Sequence, residues 1–325
     1  MATGQLIAQP GFARLQMRGP ERLVAGLTLF VAALCIVQIL LRGVAIDWLA
    51  YGGLALVFGA FVLAGHYYRA SGRSERIGLA LMCTGVFGMF SPVMVVFNYL
   101  LMPTTAPAID GWLLQIDAMM GFHWPDYIAW AAANPWINGT LKLAYMSTIP
   151  QMAAAIIILG LCGRQKDLHL LIVSVAITSV MVIVFWGFFP SHGAKAYFSL
   201  PEAIELAANP IVTTQYGREL LALAGDGPGL IAPSEVKGLI AFPSYHIVLA
   251  FTAAWAMRNV RYAFSIYVFV NALIIPATPM HGGHHLVDVP AGIAVFLIGV
   301  WLARRVVAPL YHDGTPEVLP AEKAG

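Results

Sequence analysis

The apolar residues of this 325-residue chain fall into long runs that are separated by short polar stretches. A helix of about 20 apolar residues is long enough to cross a bilayer. The pattern predicts eight such spans, at residues 23–42, 47–68, 77–102, 141–162, 168–189, 240–257, 260–279 and 285–307. We therefore expect an all-α fold, a polytopic transmembrane helical bundle of about eight spans in a single domain, residues 1–325.

The composition strengthens this interpretation. Charged residues make up 10% of the chain and the mean hydropathy is +0.77, whereas soluble domains carry about a quarter charged residues. The first apolar run is too long for a cleaved signal peptide, so we expect it to be retained. Cys35, Cys83 and Cys162 fall inside predicted spans, which is typical of buried apolar side chains and not of a disulfide framework.

The basic residues predict an orientation, because Lys and Arg collect on the cytoplasmic side of membrane proteins. With the N-terminus inside, 13 of the 18 lie on that side: Arg14, Arg18, Arg22, Arg69, Arg73, Arg76, Arg164, Lys166, Arg258, Arg261, Arg304, Arg305 and Lys323. We expect a protein of the bacterial inner membrane with both termini cytoplasmic. The net charge of +2 reflects this orientation, and no patch suited to nucleic acid is expected.

Two longer segments lie on the predicted outer, periplasmic face. Residues 190–239 join the fifth and sixth spans. Residues 103–140 carry four tryptophans that favour an interfacial helix in the headgroup belt: Trp112, Trp124, Trp130 and Trp136.

Polar residues reappear at the outer ends of three predicted spans. Residues 188–198 read FFPSHGAKAYF, residues 238–251 read GLIAFPSYHIVLAF and residues 277–292 read ATPMHGGHHLVDVPAG. Ionisable side chains are costly in and near a membrane and usually have a function there. The sequence therefore predicts a functional site at the outer face.

One pair in these segments has the spacing of a contact. His284 lies four residues before Asp288, so the two can meet across one helical turn, which fixes the imidazole tautomer. Pro290 cannot donate to a helical ladder. A second possibility is therefore that the helix begins only near Val287 and that the contact forms across a turn.

The start of the sixth span predicts an anion site. Pro243 suits the first position of a helix and leaves the next backbone N–H groups free. A phosphate could rest on that helix N-terminus beside the Ser244 hydroxyl. Gly282 and Gly283 permit close approach of the facing backbone.

The order of P-S-x-H and, about 40 residues later, H-x-x-x-D resembles the type 2 phosphatidic acid phosphatase and vanadium haloperoxidase superfamily. The motifs FPSYH and TPMHGGHHLVD are most similar to the branch that includes inositol phosphorylceramide synthases. The resemblance covers residues 140–305, the expected catalytic six-helix-type core. It implies that His284 is the nucleophile that forms a phosphohistidine, Asp288 its orienting carboxylate and His246 the general acid.

The sequence departs from the phosphatase branch in its cations. The family arginine six residues before the nucleophile is replaced by Thr278, and the first motif retains only Lys195. Lys195, Lys237 and Arg218 are the alternatives for neutralising phosphate, and we rank Lys195 first. The candidate substrate-binding residues are Lys195, Ser244, Thr278, Gly283 and His281.

The remaining histidines and polar residues have less specific interpretations. His281 and His285 could contact phosphate or support the site. For His192 neither of these roles is favoured over the other. His66, His123, His169 and His312 are expected to be hydrogen-bonded surface residues. A zinc site in HGGHH is less favoured because it would leave the P-S-x-H histidine without a role. Three polar residues inside a span are expected to make helix–helix hydrogen bonds: Tyr145, Ser147 and Gln151.

Three functions follow as hypotheses. The first is an integral-membrane lipid-phosphate phosphatase, and the second a transferase that moves a phosphoryl-headgroup to a lipid alcohol such as a ceramide. The third is a lipid transporter without enzymatic activity, which the lack of charge inside the spans makes unattractive. The expected partners are a lipid phosphate or phosphodiester substrate and the membrane. No cofactor or metal is expected, and vanadate should inhibit.

Overall fold

The computed structural model describes residues 15–311, and their regular structure is almost entirely α-helical. The helices are α1 (Gly19–Arg42), α2 (Trp48–Ala70), α3 (Glu75–Tyr99), α4 (Asp110–Met119), α5 (Trp124–Ala133), α6 (Pro135–Met146), α7 (Thr148–Leu161), α8 (Gln165–Phe188), α9 (Glu202–Ala208), α10 (Thr214–Asp226), α11 (Tyr245–Ala256), α12 (Arg261–Gly282) and α13 (Asp288–Leu310). Strands β1 (Ala45–Ile46) and β2 (Leu230–Ile231) pair in parallel, with Ala45 opposite Leu230.

In this part of the chain six helices are long and apolar enough to cross a membrane: α1, α2, α3, α8, α12 and α13. Helices α6 and α7 add a seventh span if they cross as one pair, which is bent by 47°. The prediction of a multi-pass helical protein is confirmed. The predicted span at 240–257 corresponds to α11, which has only 12 residues, so the total of eight spans stays a prediction.

Helix α8 lies at the centre of the bundle. After a polar first turn it is strongly apolar, and it is buried on most of its surface, as expected of a helix surrounded by others. It packs against α3, α7, α11 and α13, while α2 packs mainly on α3 and leaves most of its surface exposed. The large apolar surfaces exposed on α1 and α2 are those that a bilayer would cover.

The segment predicted as one interfacial helix forms two short helices, α4 and α5, and the first turns of α6. Trp112 and Trp136 are 72% and 89% exposed, as an interfacial position requires. Trp124 is 1% exposed, because its indole donates to the Pro279 carbonyl oxygen at 2.8 Å and its ring stacks on Phe198. The expected interfacial position of Trp124 is therefore wrong.

A buried polar network joins α1, α2, α8 and the end of α13. Glu21 accepts two hydrogen bonds of 2.7 Å from Arg69 and lies 3.0 Å from His169 Nε2, and the Tyr311 hydroxyl lies 2.6 Å from His169 Nδ1. The prediction that His169 is a surface residue is wrong, since it is fully buried by these partners. Glu21, His169 and Cys83 could also surround a metal ion, but Arg69 already neutralises the carboxylate.

The other histidines with a surface prediction have simpler positions. His123 is exposed and lies 2.9 Å from Asp126, as a surface histidine would. His66 accepts a hydrogen bond from the Gln16 backbone N–H. His312 lies outside the described residues.

Candidate active site

The polar segments singled out in the sequence meet at one end of the bundle. Helices α8 and α12 run toward this end, and α11 and α13 run away from it. The loop after α8, the start of α11 and the turn between α12 and α13 therefore come together, which we call the site end. The network around Glu21 lies at the opposite end of the same bundle.

His284 and Asp288 form the contact predicted from their spacing. His284 Nδ1 lies 2.8 Å from Asp288 Oδ2, with His284 in the turn and Asp288 at the first residue of α13. The second possibility raised by Pro290 is the observed one, because the contact closes across a turn before the helix begins. A donating Nδ1–H leaves the lone pair on Nε2, the nitrogen that a nucleophilic histidine needs.

The environment keeps His284 neutral. Burial lowers the pKa of His284 well below its usual value, and the positive charges of Lys195 and His285 lower it further. A neutral imidazole is the form in which a histidine can act as a nucleophile.

Lys195 lies directly against the histidine turn. Its ammonium donates to the Gly282 carbonyl oxygen at 3.0 Å, and its backbone N–H donates to the Gly283 carbonyl oxygen at 3.3 Å. Gly283 has φ +62°, and a Cβ there would lie 2.5 Å from Lys195 Cδ. Only glycine fits both the left-handed conformation and the passing lysine side chain.

The other two candidate cations are placed differently. Lys237 pairs with Glu219, and Arg218 donates to Gln215 on an exposed face of α10. Of the three alternatives, the structure brings Lys195 into the cluster with His284. Its role in binding phosphate stays a prediction.

Burial makes Lys195 an unusually weak base. Removal from water lowers the pKa of Lys195 to about 8, although the carboxyl groups of Asp288 and Asp110 partly oppose this shift. Lys195 is therefore charged at neutral pH and loses its charge within the mildly alkaline range.

His246 lies in the first turn of α11 and contacts α6. Its Nδ1 lies 3.1 Å from the Tyr145 hydroxyl, and the two rings stack with centroids 4.2 Å apart. A Cβ on Gly282 would lie 2.7 Å from that hydroxyl and 3.1 Å from His284 Nε2. The hydroxyl beside His246 and the Nε2 atom of His284 therefore border the same small space.

The start of α11 differs from the prediction made from Pro243. The helix begins at Tyr245 with Ser244 as its N-cap, and the Ser244 N–H donates to the Asp288 carbonyl oxygen at 3.1 Å. Pro243 therefore precedes the helix, and one N–H expected to be free is already used. The Ser244 hydroxyl is fully buried and has no hydrogen-bond partner among the described residues, so it remains available to a phosphoryl oxygen.

Asp110, at the start of α4, joins the two loops of the site. Its carboxylate accepts from the backbone N–H groups of His192 and Gly193 at 2.9–3.0 Å, and it lies 3.0 Å from His285 Nε2. The Tyr197 hydroxyl donates to it as well. Burial alone would raise the pKa of Asp110, but the bonds and charges of His192 and His285 hold it well below its usual range.

Asp117 lies seven residues after Asp110 on α4 and binds the loop between α12 and α13. It accepts from the backbone N–H groups of Leu286 and Val287 at 3.0 and 3.1 Å, and it lies 3.4 Å from His285 Nδ1. Burial lowers the pKa of His285, but the bonds to Asp110 and Asp117 overcome this and raise it to about 9. His285 is therefore a charged, fully buried support of the turn that carries His284.

The remaining candidates have contacts outside this cluster. Thr278 donates its hydroxyl back to Ile274 within α12. His281 lies 3.1 Å from the Asn138 carbonyl oxygen, and its own carbonyl accepts from Val212. The direct phosphate contacts expected of Thr278 and His281 stay predictions, as does the role of His192, whose ring lies beside Trp186.

Sequence reasoning missed three residues of the site. Asp110 and Asp117 lie on the segment that was assigned to the membrane interface, and both precede the predicted core at 140–305. Tyr145 was expected to bond another helix and does so, but its partner is His246. A carboxylate pair seven residues apart on a helix without other charged residues was the available signal, since such a pair shares one helix face.

Residues 111–302, more than half of the chain, match the family model of the PAP2 superfamily. The chain belongs to this superfamily, as its motifs indicated. Membership supports an enzymatic activity of the phosphatase or phosphotransferase type. No curated protein and no solved structure gives a significant match to the chain. The inositol phosphorylceramide synthase-like branch stays a prediction.

Lys195 provides the first prediction. Because the ammonium loses its proton as pH rises through about 8, vanadate affinity should be full below that pH and fall above it. Lys195→Arg should keep the affinity at pH 9, because guanidinium stays charged. Lys195→Met should lack this pH dependence and bind about tenfold or more weakly at pH 7. Vanadate titrations from pH 6 to 9.5 measure these changes.

Lys237→Met is the matched control for this experiment and should bind vanadate like wild type. Vanadate itself also ionises in this pH range, but its ionisation affects all variants equally. The difference between wild type and Lys195→Arg therefore reports on Lys195 alone. Vanadate affinity that survives in Lys195→Met and is lost in Lys237→Met would transfer the role to Lys237.

Asp110 provides the second prediction. Asp110→Asn removes one charge from a buried, hydrogen-bonded group, and breaking such a pair costs about 3–5 kcal/mol. We expect a lower melting temperature in detergent and a large loss of kcat/KM. Asp126→Asn on α5, where the carboxylate is exposed, should leave both unchanged. A variant at Asp110 that retains wild-type stability and rate would show that the carboxylate does not hold the two loops.

Proposed function

We propose that the protein is an integral-membrane lipid-phosphate phosphatase that forms a phosphohistidine on His284. The observation that carries this proposal is a neutral, buried His284 oriented by Asp288 beside Lys195. Nucleophile, orienting group and cation are the parts that phosphoryl transfer through a covalent intermediate requires. PAP2 superfamily membership supports the same type of reaction.

The proposed reaction has two steps. In the first, His284 Nε2 bonds to phosphorus, the bond to the leaving oxygen breaks, and His246 gives that oxygen a proton. In the second, a water oxygen bonds to phosphorus, the water proton passes to His246, and the electron pair of the phosphorus–nitrogen bond returns to His284. Lys195 and the Ser244 hydroxyl contact the phosphoryl oxygens in both steps.

We propose a lipid as the substrate because the site lies at one end of a bundle with six candidate membrane spans. The distribution of basic residues supports the periplasmic face of the bacterial inner membrane for this end, with both termini in the cytoplasm. A soluble phosphate ester would not need so large an apolar body.

A second candidate function is transfer of a phosphoryl-headgroup to a lipid alcohol such as a ceramide. The observation in its favour is the cation content of the site, where Thr278 replaces an arginine and Lys195 is the cation beside His284. One fewer positive charge suits a phosphodiester, which carries one fewer negative charge than a phosphomonoester.

The third prediction tests the reaction. Purified protein is incubated with phosphatidic acid, lysophosphatidic acid and phosphatidylinositol, each with and without ceramide, and phosphate release is scored separately from new phospholipid. We expect phosphate release from a monoester, together with an acid-labile phosphoryl label on the protein. His284→Ala should abolish both, and His246→Ala should slow turnover about 10²-fold or more.

Each result of this panel has a defined meaning. New phospholipid formed only when ceramide is present would favour transfer over hydrolysis. Turnover that persists in His284→Ala would disprove the phosphohistidine mechanism. Absence of turnover in the wild type, with lipid moved between vesicles, would support the transporter hypothesis.

The fourth prediction tests the orientation. Lys195 and His281 are too buried to report on it, so single cysteines are placed at Glu202 on α9 and at Arg73, which are both exposed. An impermeant maleimide should label the cysteine at 202 in intact spheroplasts and the cysteine at 73 only after permeabilisation. Cys162 is exposed, so the prediction that it is buried is wrong, and it is first replaced by Ser. The reverse pattern would place the site in the cytoplasm.

A further inference from the structure

The Tyr145 hydroxyl is a polar group of the site that takes no part in the proposed two-step reaction. Tyr145 is 6% exposed, and its ring stacks on His246 while its oxygen lies 3.1 Å from His246 Nδ1. Two independent contacts between the same pair of rings fix the orientation of His246. The question is which of the two atoms donates.

The reaction chemistry decides this direction. A histidine that protonates a leaving group must carry protons on both nitrogens before the step and on one nitrogen after it. If the Tyr145 hydroxyl donated to Nδ1, that nitrogen would have no proton and His246 could not be the cation that gives one away. The tyrosine oxygen must therefore accept a hydrogen bond from Nδ1–H.

We propose that Tyr145 is the positioning residue of the general acid, and that its oxygen holds the proton on His246 Nδ1 throughout the reaction. This inference rests on the proposed function, in which His246 is the general acid. Only Nε2 then exchanges a proton. It gives that proton to the leaving oxygen in the first step and accepts one from the attacking oxygen in the second.

The position of Tyr145 explains how this constraint acts at the reacting atoms. Its hydroxyl and His284 Nε2 border the same space beside Gly282, where the absence of a side chain lets both approach. His246 is therefore oriented by a group that itself lies next to the nucleophile.

The fifth prediction uses Tyr145→Phe, which keeps the ring stack and removes the hydroxyl. The rate with dodecyl phosphate should fall about 10²-fold, because its alkoxide leaving group needs a proton. The rate with p-nitrophenyl phosphate should fall much less, because p-nitrophenolate leaves without one. A group that only stabilised the fold would lower both rates alike.

Tyr267→Phe is the matched control. Tyr267 is also a buried tyrosine in the bundle, and its hydroxyl donates to the Gln151 carbonyl oxygen at 2.7 Å. Its loss removes one tyrosine hydrogen bond far along α12 from the histidine turn. It should leave the ratio of the two rates unchanged.

A second measurement does not depend on turnover. Nitrogen-15 NMR of the imidazole side chains is recorded at a pH at which His246 is neutral, with His246→Gln used for assignment. It should show a proton on Nδ1 of His246 in wild type and in Tyr267→Phe. In Tyr145→Phe the Nε2–H tautomer should become populated. An unchanged tautomer in Tyr145→Phe would overturn the proposal, as would an equal loss of rate with both substrates.

The failure of this inference is distinguishable from failure of the proposed function. If His246→Ala leaves the rate with dodecyl phosphate unchanged, His246 is not the general acid and the proposed reaction fails. If His246→Ala removes that rate and Tyr145→Phe does not, only the role of Tyr145 is rejected.

Discussion

The buried carboxylate of Asp110 is the interaction on which the site geometry depends. It binds one loop through two backbone N–H groups and the other loop through the His285 ring. An ionised carboxylate is stable in such a place only when hydrogen bonds replace its water. The same bonds that make this charge tolerable hold Lys195 and His284 in adjacent loops at a constant separation.

The supports of the site are charged, whereas the proposed nucleophile, His284, is neutral. His285 is raised to a pKa of about 9 by the carboxylates of α4, while the neighbouring residue His284 is shifted in the opposite direction. Two successive histidines therefore have different protonation states in one turn. Their partners cause this difference, because His285 lies between Asp110 and Asp117 and His284 lies beside Lys195.

The sequence predicted the features that depend on local spacing. The spans follow from runs of apolar residues, and the contact between His284 and Asp288 follows from a separation of four. The contacts of Asp110 join residues that are 82 and 175 positions apart, and no local pattern encodes such pairs. The same reason explains why Trp124 and His169 were placed on the surface, since their partners Pro279 and Glu21 lie in distant helices.

The shortness of α11 has a consequence for the two candidate reactions. Twelve residues of helix measure about 18 Å, against about 30 Å of hydrocarbon in a bilayer. The far end of α11 is anchored by Arg258, which pairs with Asp167. If that end lies at one membrane surface, Ser244 and His246 would lie well below the other surface, where backbone outside helices must be covered by protein. Water reaches such a depth only along a polar path, whereas the hydroxyl of a membrane lipid needs to descend only a short way from the headgroup layer.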